Sequence, residues 1–164
     1  IIADIKETDK SEVESILAKY NVITHTENAS STRKQAMACV ALNTCPQALA
    51  EAQRYLPSLL SKIEKLLEQH HLSNEGINIR MTGCPNGCAR PFIYEIGFVG
   101  TAPGRYNMHL GADVTGTRLN SLYKENLDEG QILETMDQLL SSYATSKLTH
   151  EAFGDFVLRS NIVS

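Results

Sequence analysis

Four cysteines carry the clearest chemical signal in this chain. They fall as two pairs, Cys39 with Cys45 and Cys84 with Cys88, separated internally by five and three residues and from each other by 38, with none left over. Cys45 and Cys84 are each followed by proline. Proline is favoured at the first helical position, so the spacing predicts that both cysteines sit at helix N-termini. There the helix dipole and free N–H groups stabilise negative charge on sulfur. A four-residue step along such a helix places Cys84 and Cys88 on one face, with Gly83 and Gly87 leaving that face open to a bulky group. Cys39 and Cys45 would be about 120° out of phase on a helix. They converge only if Cys39 ends a strand and Cys45 starts the next helix. Three readings of the set are open: buried structural thiols, a four-thiolate zinc site, and a four-thiolate iron-sulfur cluster. Zinc ligand pairs typically have about two to four intervening residues, fewer than the first pair has. The cluster fits best.

Composition narrows the function further. The chain has 164 residues, 42% of them hydrophobic and 21% charged, which suits one folded domain, or one domain with part of another, and argues against disorder. A net charge of −4 argues against a general nucleic-acid or anionic-membrane binder. Every apolar run is broken well short of the ~20 residues of a membrane span. Four cysteines are too few for a disulfide scaffold of this length, and no basic leader with an apolar run appears. A cytoplasmic protein is therefore expected. The first residue is Ile1 rather than Met, which raises the expectation that parts of the working protein lie outside these residues.

Those cysteines must be positioned by the surrounding elements. Residues 1–75 contain no glycine, and eight of the ten glycines fall between Gly76 and Gly116, so tight turns concentrate around the second cysteine pair. Ile1–Ile5 reads as a short strand. A helix capped by Asp9 or Ser11 follows, its stripe formed by Val13, Ile16, Leu17 and Tyr20. Too small for a core of its own, this segment, residues 1 to about 26, reads as the tail of a neighbouring domain, with Thr24–Thr32 as linker. A strand over Ala36–Leu42, a helix from Pro46 and a second helix from Pro57 to near His70 and His71 come next. Strands over Ile77–Met81, Phe92–Val99 and Tyr106–Leu110 follow, then a helix marked by Ile132, Leu133, Met136, Leu139, Leu140 and Tyr143. The expected fold is α/β, a mixed sheet flanked by helices.

Longer motifs surround the cysteines: Ala38-Cys-Val-Ala-Leu-Asn-Thr-Cys-Pro46, Met81-Thr-Gly-Cys-Pro-Asn-Gly-Cys-Ala-Arg-Pro91, Gly104-Arg-Tyr-Asn-Met-His-Leu-Gly111, Gly116-Thr-Arg-Leu119, Tyr123-Lys-Glu-Asn126 and Phe153-Gly-Asp-Phe156. Together they closely resemble the C-terminal part of the hemoprotein component of assimilatory, NADPH-type sulfite reductases, along essentially the whole chain. The cysteine spacing alone is shared with nitrite and dissimilatory sulfite reductases. The resemblance implies that Cys39, Cys45, Cys84 and Cys88 hold a 4Fe-4S cluster, and that Cys88 also bridges to the iron of siroheme. It implies a six-electron reduction of sulfite to sulfide within sulfate assimilation and cysteine biosynthesis, with electrons from a flavoprotein (alpha) partner that draws on NADPH. It also implies a 4Fe-4S/siroheme domain over residues 27–164, preceded at 1–26 by a remnant of a ferredoxin-like half-domain. Asn86 becomes a candidate contact to the macrocycle or a cluster sulfur, beside a plain turn-forming role for Pro85-Asn86-Gly87.

Charge bears on how complete such a site is. Gly76–Arg118 holds Arg80, Arg90, Arg105 and Arg118 against Glu95 and Asp113, a net +2, leaving −6 for the rest. Siroheme is a polycarboxylate and sulfite a dianion, so four arginines are too few for both. No catalytic residue is expected in this chain, since the family's substrate-binding arginines and lysines come from the N-terminal half. The isolated chain is expected to be inactive. Two other functions remain, nitrite reduction on the same fold and a heme-free iron-sulfur electron-transfer module, with a zinc-stabilised interaction domain as a third class. His70, His71 and His109 read as structural, and Asp128 and Glu129 as capping charges on the last helix. With neither a dinucleotide fingerprint nor a Walker sequence, NADPH is expected to bind another subunit.

Overall fold

The computed structural model describes residues 2–22 and 28–163. It divides into two compact units, residues 1–30 and 31–164. In the first unit a 3-10 turn, Glu7–Asp9, leads into helix α1, Lys10–Lys19. The helix forms where its apolar stripe predicts, with Asp9 at the N-cap but no side-chain capping bond. The strand expected at Ile1–Ile5 is absent over its described residues. Asp4 there has φ 60°, a left-handed conformation incompatible with a strand, and no other strand lies among the unit's described residues to pair with it. None of the unit's described residues is buried. A ten-residue helix without a packed face is marginal in water.

The second unit carries the core. Helix α2 (Ser31–Gln35) begins inside the expected linker, whose residues 24–27 lie outside the described ones. Then come β1 (Met37–Ala38), α3 (Leu56–Gln69), β2 (Ile79–Thr82), a 3-10 turn Pro91–Ile93, β3 (Ile96–Ala102), β4 (Arg105–Leu110), β5 (Ser121–Leu127), α4 (Glu129–Ser146) and α5 (Phe153–Arg159). The strands form one mixed sheet in the order β1-β2-β3-β4-β5, parallel between β1, β2 and β3 and antiparallel from β3 to β5.

Register sorts the sheet into two faces. Ile79, Ile96 and Leu110 align across the strands, as do Met81, Phe98 and Met108. All six are fully buried and form one core with Leu59, Ile63 and Leu67 of α3 and Ile132, Met136, Leu140 and Tyr143 of α4. Each such side chain contributes about 1.5–3 kcal/mol on burial, so packing rather than helix propensity holds α3 and α4. The other face carries Arg80, Gly97 and His109 in one row. The segment running from Cys84 to Tyr94 lies over it: a Cβ on Gly97 would meet the Pro91 carbonyl oxygen at 2.3 Å, and the Phe92 and His109 rings meet edge to face at 5.2 Å.

Several expected elements are corrected. The strand drawn over Phe92–Val99 begins only at Ile96, because Arg90 turns left-handed at φ 55° and Pro91 opens a 3-10 turn. No helix starts at Pro46. The N–H groups of Leu49 and Ala50, which a helix would bond locally, donate instead to the Gly83 carbonyl at 2.8 and 3.0 Å. Strand β5 and helix α5 carry weak patterns, the first an edge strand rich in polar residues and the second seven residues long with Gly154 near its start. Helix α4 begins as expected at Asp128, whose side chain accepts from the Gln131 N–H in a capping box. Among the described residues, no helix is long and apolar enough to cross a membrane.

Glu95 joins α5 to the sheet from 1% exposure, its two carboxylate oxygens accepting 2.9 Å bonds from the N–H groups of Asn78 and Gly154. Burial raises its carboxyl pKa above the ordinary 4.5, against the lowering effect of those donors. A carboxyl raised in the folded state keeps its proton where the unfolded chain has lost it, so this group's contribution falls as pH rises above 4.5 and through the raised value. Glu95→Gln is expected to flatten that slope. It also turns an amide NH2 toward one of the two donors, at a cost of about 1–3 kcal/mol, to be read from denaturant unfolding of both proteins across pH about 4 to 8.

Candidate metal centre

Two loops bring the cysteines to one end of the parallel strands. Cys39 directly follows β1, its N–H bonded to the Met81 carbonyl at 3.1 Å and its carbonyl to the Gln53 N–H at 3.1 Å. The chain then folds back through Ala41, which is buried and left-handed at φ 50°, and whose carbonyl accepts from the Cys45 N–H at 2.8 Å. Cys84 follows β2 by one residue, and the Thr82 hydroxyl donates to its carbonyl at 3.1 Å. Gly87, at φ +67°, turns the second loop so that its N–H meets the Cys84 carbonyl at 3.4 Å.

Neither Cys45 nor Cys84 caps a helix, and no helix spans Cys84 and Cys88; both loops are turns. Contrary to expectation, no helix dipole acts on these thiols from their own loops. Their proline neighbours sit in tight turns instead, closed by the Ala48 N–H on the Cys45 carbonyl at 3.2 Å and the Gly87 N–H on the Cys84 carbonyl at 3.4 Å.

Gly83 locks the two loops together. Its N–H donates to Cys39 Sγ at 3.3 Å, while its carbonyl accepts from Leu49 and Ala50. A Cβ there would meet the Ala50 oxygen at 2.6 Å and the Ala41 Cβ at 2.7 Å, and one on Gly100 of β3 would meet the Gly83 oxygen at 2.5 Å. Its glycine serves close packing and not an open face, the reverse of the expectation. At Gly87 a Cβ would meet the Phe92 ring at 3.0 Å, so its role too is conformational and local. Outside this contact, Asn86 Nδ2 donates to Gln47 Oε1 at 2.7 Å, joining the two loops at the surface.

All four cysteines are free. Cys84 is 7% exposed, Cys39 and Cys45 are half-buried, and Cys88 is exposed. Among the described residues, no three Cys, His, Asp or Glu side chains converge closely enough to ligate a single metal ion. A cluster is a larger object. It spreads its thiolates around a multi-atom core, and four free thiols on two mutually tied loops fit that donor chemistry.

Comparison with known proteins bears directly on these loops. No family model matches the chain. Over 163 residues, 99% of the chain, it is 56% identical to the sulfite reductase (NADPH) hemoprotein beta-component of Leptospira biflexa. Over all 164 residues it is 51% identical to the protein of the same name from Staphylococcus epidermidis. Over its whole length the chain is similar to one segment of sulfite reductase hemoprotein beta-components. It spans 29% and 28% of the length of those two relatives. Its fold resembles that of the NirA protein of Mycobacterium tuberculosis, with a TM-score of 0.76 over 98% of this chain and 31% of that one, at 21% identity.

Within the chain the residues set aside behave structurally. His70 Nε2 lies 2.7 Å from Asp137, and His71, at φ 59°, ends α3. Burial lowers the His109 pKa against Phe92. Asp128 caps α4, and Glu129 pairs with Lys62. Sequence reasoning missed Asn120, whose N–H donates to the Phe92 carbonyl at 2.9 Å and whose Nδ2 donates to the Pro91 and Tyr94 carbonyls at 2.7 and 2.8 Å. It pins the segment after the second cysteine pair, and no sequence pattern marks it. Of the four arginines in the glycine-rich region, Arg105 pairs with Asp128 at 3.3 Å and Arg118 with Asp155 at 2.6 Å. Both are neutralised by these carboxylates, so less unpaired positive charge remains in this region than the residue count suggests.

Gly83→Ala is expected to force the Ala50 carbonyl and Ala41 away from the loop, costing about 1–3 kcal/mol and breaking the Cys39–Gly83 contact. Denaturant unfolding measures the first effect. The second should appear as faster alkylation of the Cys39 thiol than in the wild-type chain.

Proposed function

We propose that this chain is the C-terminal portion of a hemoprotein that reduces sulfite to sulfide, and that Cys39, Cys45, Cys84 and Cys88 hold a 4Fe-4S cluster. The carrying observation is the locked pair of cysteine loops, with Cys39 Sγ bonded to the residue preceding Cys84. Similarity over the whole chain to sulfite reductase hemoproteins supports the same reading. When bound, the cluster and siroheme supply the electron relay and the iron that takes the substrate. The chain's own residues hold and orient those groups. Cys84 faces inward, and the Gly83 N–H fixes the direction of the Cys39 sulfur. Exposed Cys88 is the thiol best placed to be shared with siroheme iron. Asn86, tied to Gln47, sits between Cys84 and Cys88 as a candidate macrocycle contact.

The remaining requirements fall outside these residues. Electrons come from NADPH through a flavoprotein partner, and the arginines and lysines that bind sulfite belong to another part of the polypeptide. Residues 1 to about 26 are a remnant of a ferredoxin-like half-domain and 27–164 the cluster and siroheme domain; the division into compact units at residue 30 supports a boundary near there. Four free thiols suit a reducing cytoplasm.

Anaerobic reconstitution with iron and sulfide, followed by metal analysis and absorption spectroscopy, tests the reading. About four iron and four sulfide per chain are expected, and incorporation of zinc in place of iron under those conditions would overturn the cluster. Cys88→Ser should lose any coupling between cluster and added siroheme. With an artificial electron donor, the reconstituted chain alone should produce no sulfide from sulfite.

A further inference from the structure

Arg80 is the one arginine of the glycine-rich region that lies buried in the sheet. It is 8% exposed, on the face of β2 that the Cys84–Tyr94 segment covers. Its guanidinium lies over the Tyr94 ring, 3.8 Å from the centroid. Among the described residues no carboxylate pairs with it, and Nε is enclosed without a hydrogen-bond partner. Ring stacking recovers part of the lost hydration of a cation, but it provides neither a counter-charge nor an acceptor for the N–H groups. A buried charge in that condition is costly unless a partner arrives.

Its surroundings are fixed in advance. Asn120 holds the Tyr94 carbonyl at 2.8 Å, so the ring under the guanidinium sits on a pinned segment. In its row across the sheet, Arg80 has Gly97 on one side, roofed by Pro91, and Met37 on the other, 49% exposed. Access is therefore from the β1 side. The group it would take follows from chemistry: a planar fork of N–H donors with no bound acceptor matches a carboxylate in a bidentate pair.

We propose that Arg80 is a carboxylate-binding residue, completed by an acidic group that this chain does not supply. The inference rests on the charge, burial and missing partner of Arg80 and does not depend on the cysteine assignment. A carboxylate could come from the rim of a tetrapyrrole or from another part of the polypeptide, and two probes separate them. The first is uroporphyrin, a metal-free tetrapyrrole polycarboxylate, followed by its fluorescence. The second is the remaining polypeptide of a sulfite reductase hemoprotein relative, added in trans without any tetrapyrrole.

Arg80→Met is expected to weaken binding of one probe by about tenfold, the scale of one charge-assisted hydrogen bond. Arg80→Lys should weaken it less, keeping the charge without the fork, and it carries the comparison if Arg80→Met does not fold. Loss against uroporphyrin assigns the tetrapyrrole rim; loss against the polypeptide assigns a protein carboxylate. Unfolding of the free chain supplies the control, since removing an unpaired buried charge should leave Arg80→Met at least as stable as wild type. The proposal is overturned if wild type binds neither probe, or if the variants bind both as wild type does. A loss of stability with unchanged affinities would make Arg80 a stacking support for Tyr94 and nothing more.

Discussion

The cysteine end of this molecule depends on a close approach of backbone at Gly83. Three kinds of contact meet there: the residue bonds to the Cys39 sulfur, accepts from two N–H groups of the first loop, and packs without a side chain between Ala41, Ala50 and Gly100. Any Cβ would separate the loops by the width of a methyl group. Because both cysteine pairs hang from these loops, their spatial relation is set by this one steric allowance together with its hydrogen bonds.

That junction works because the sheet has two unlike faces. One is an apolar core shared with α3 and α4, which supplies most of the stabilisation through ordinary burial. The other is covered by a loop, pinned by Asn120 and stacked on Arg80 and His109. Dividing the labour in this way leaves the loop face free to carry polar and charged groups that would be costly in the helical core. Glu95, buried where β3 begins, shows what such groups require: both oxygens are met by backbone donors.

Charge follows the same division. Arg105 and Arg118 are neutralised by Asp128 and Asp155, while among the described residues Arg80, before the second cysteine pair, finds only a ring. Among the described residues Arg80 is buried without a carboxylate partner and all four thiols are free, the condition that the proposed carboxylate and cluster would complete. The relatives it matches are more than three times its length, which agrees with that condition.

Residue types and spacing were enough to pick out the resemblance to sulfite reductase hemoproteins, the mixed α/β class, the capped helix at Asp128 and the long amphipathic helices, because all of these are written in local periodicity or in side-chain chemistry. Element types at the cysteines themselves were misread. Proline after Cys45 and Cys84 pointed to helices, yet the N–H groups that would build the first of them bond to Gly83, some 34 residues further on, and no local pattern records so distant an acceptor. Gly83 was visible as a glycine but its purpose was not, since whether a missing Cβ faces open space or a neighbouring carbonyl depends on how the loops come together. Asn120 and Arg80 look like ordinary surface residues in the sequence. Only the packing of the Cys84–Tyr94 segment over the sheet makes one a clamp and leaves the other buried without a partner, because burial and partnership are properties of the assembled fold and not of neighbours along the chain.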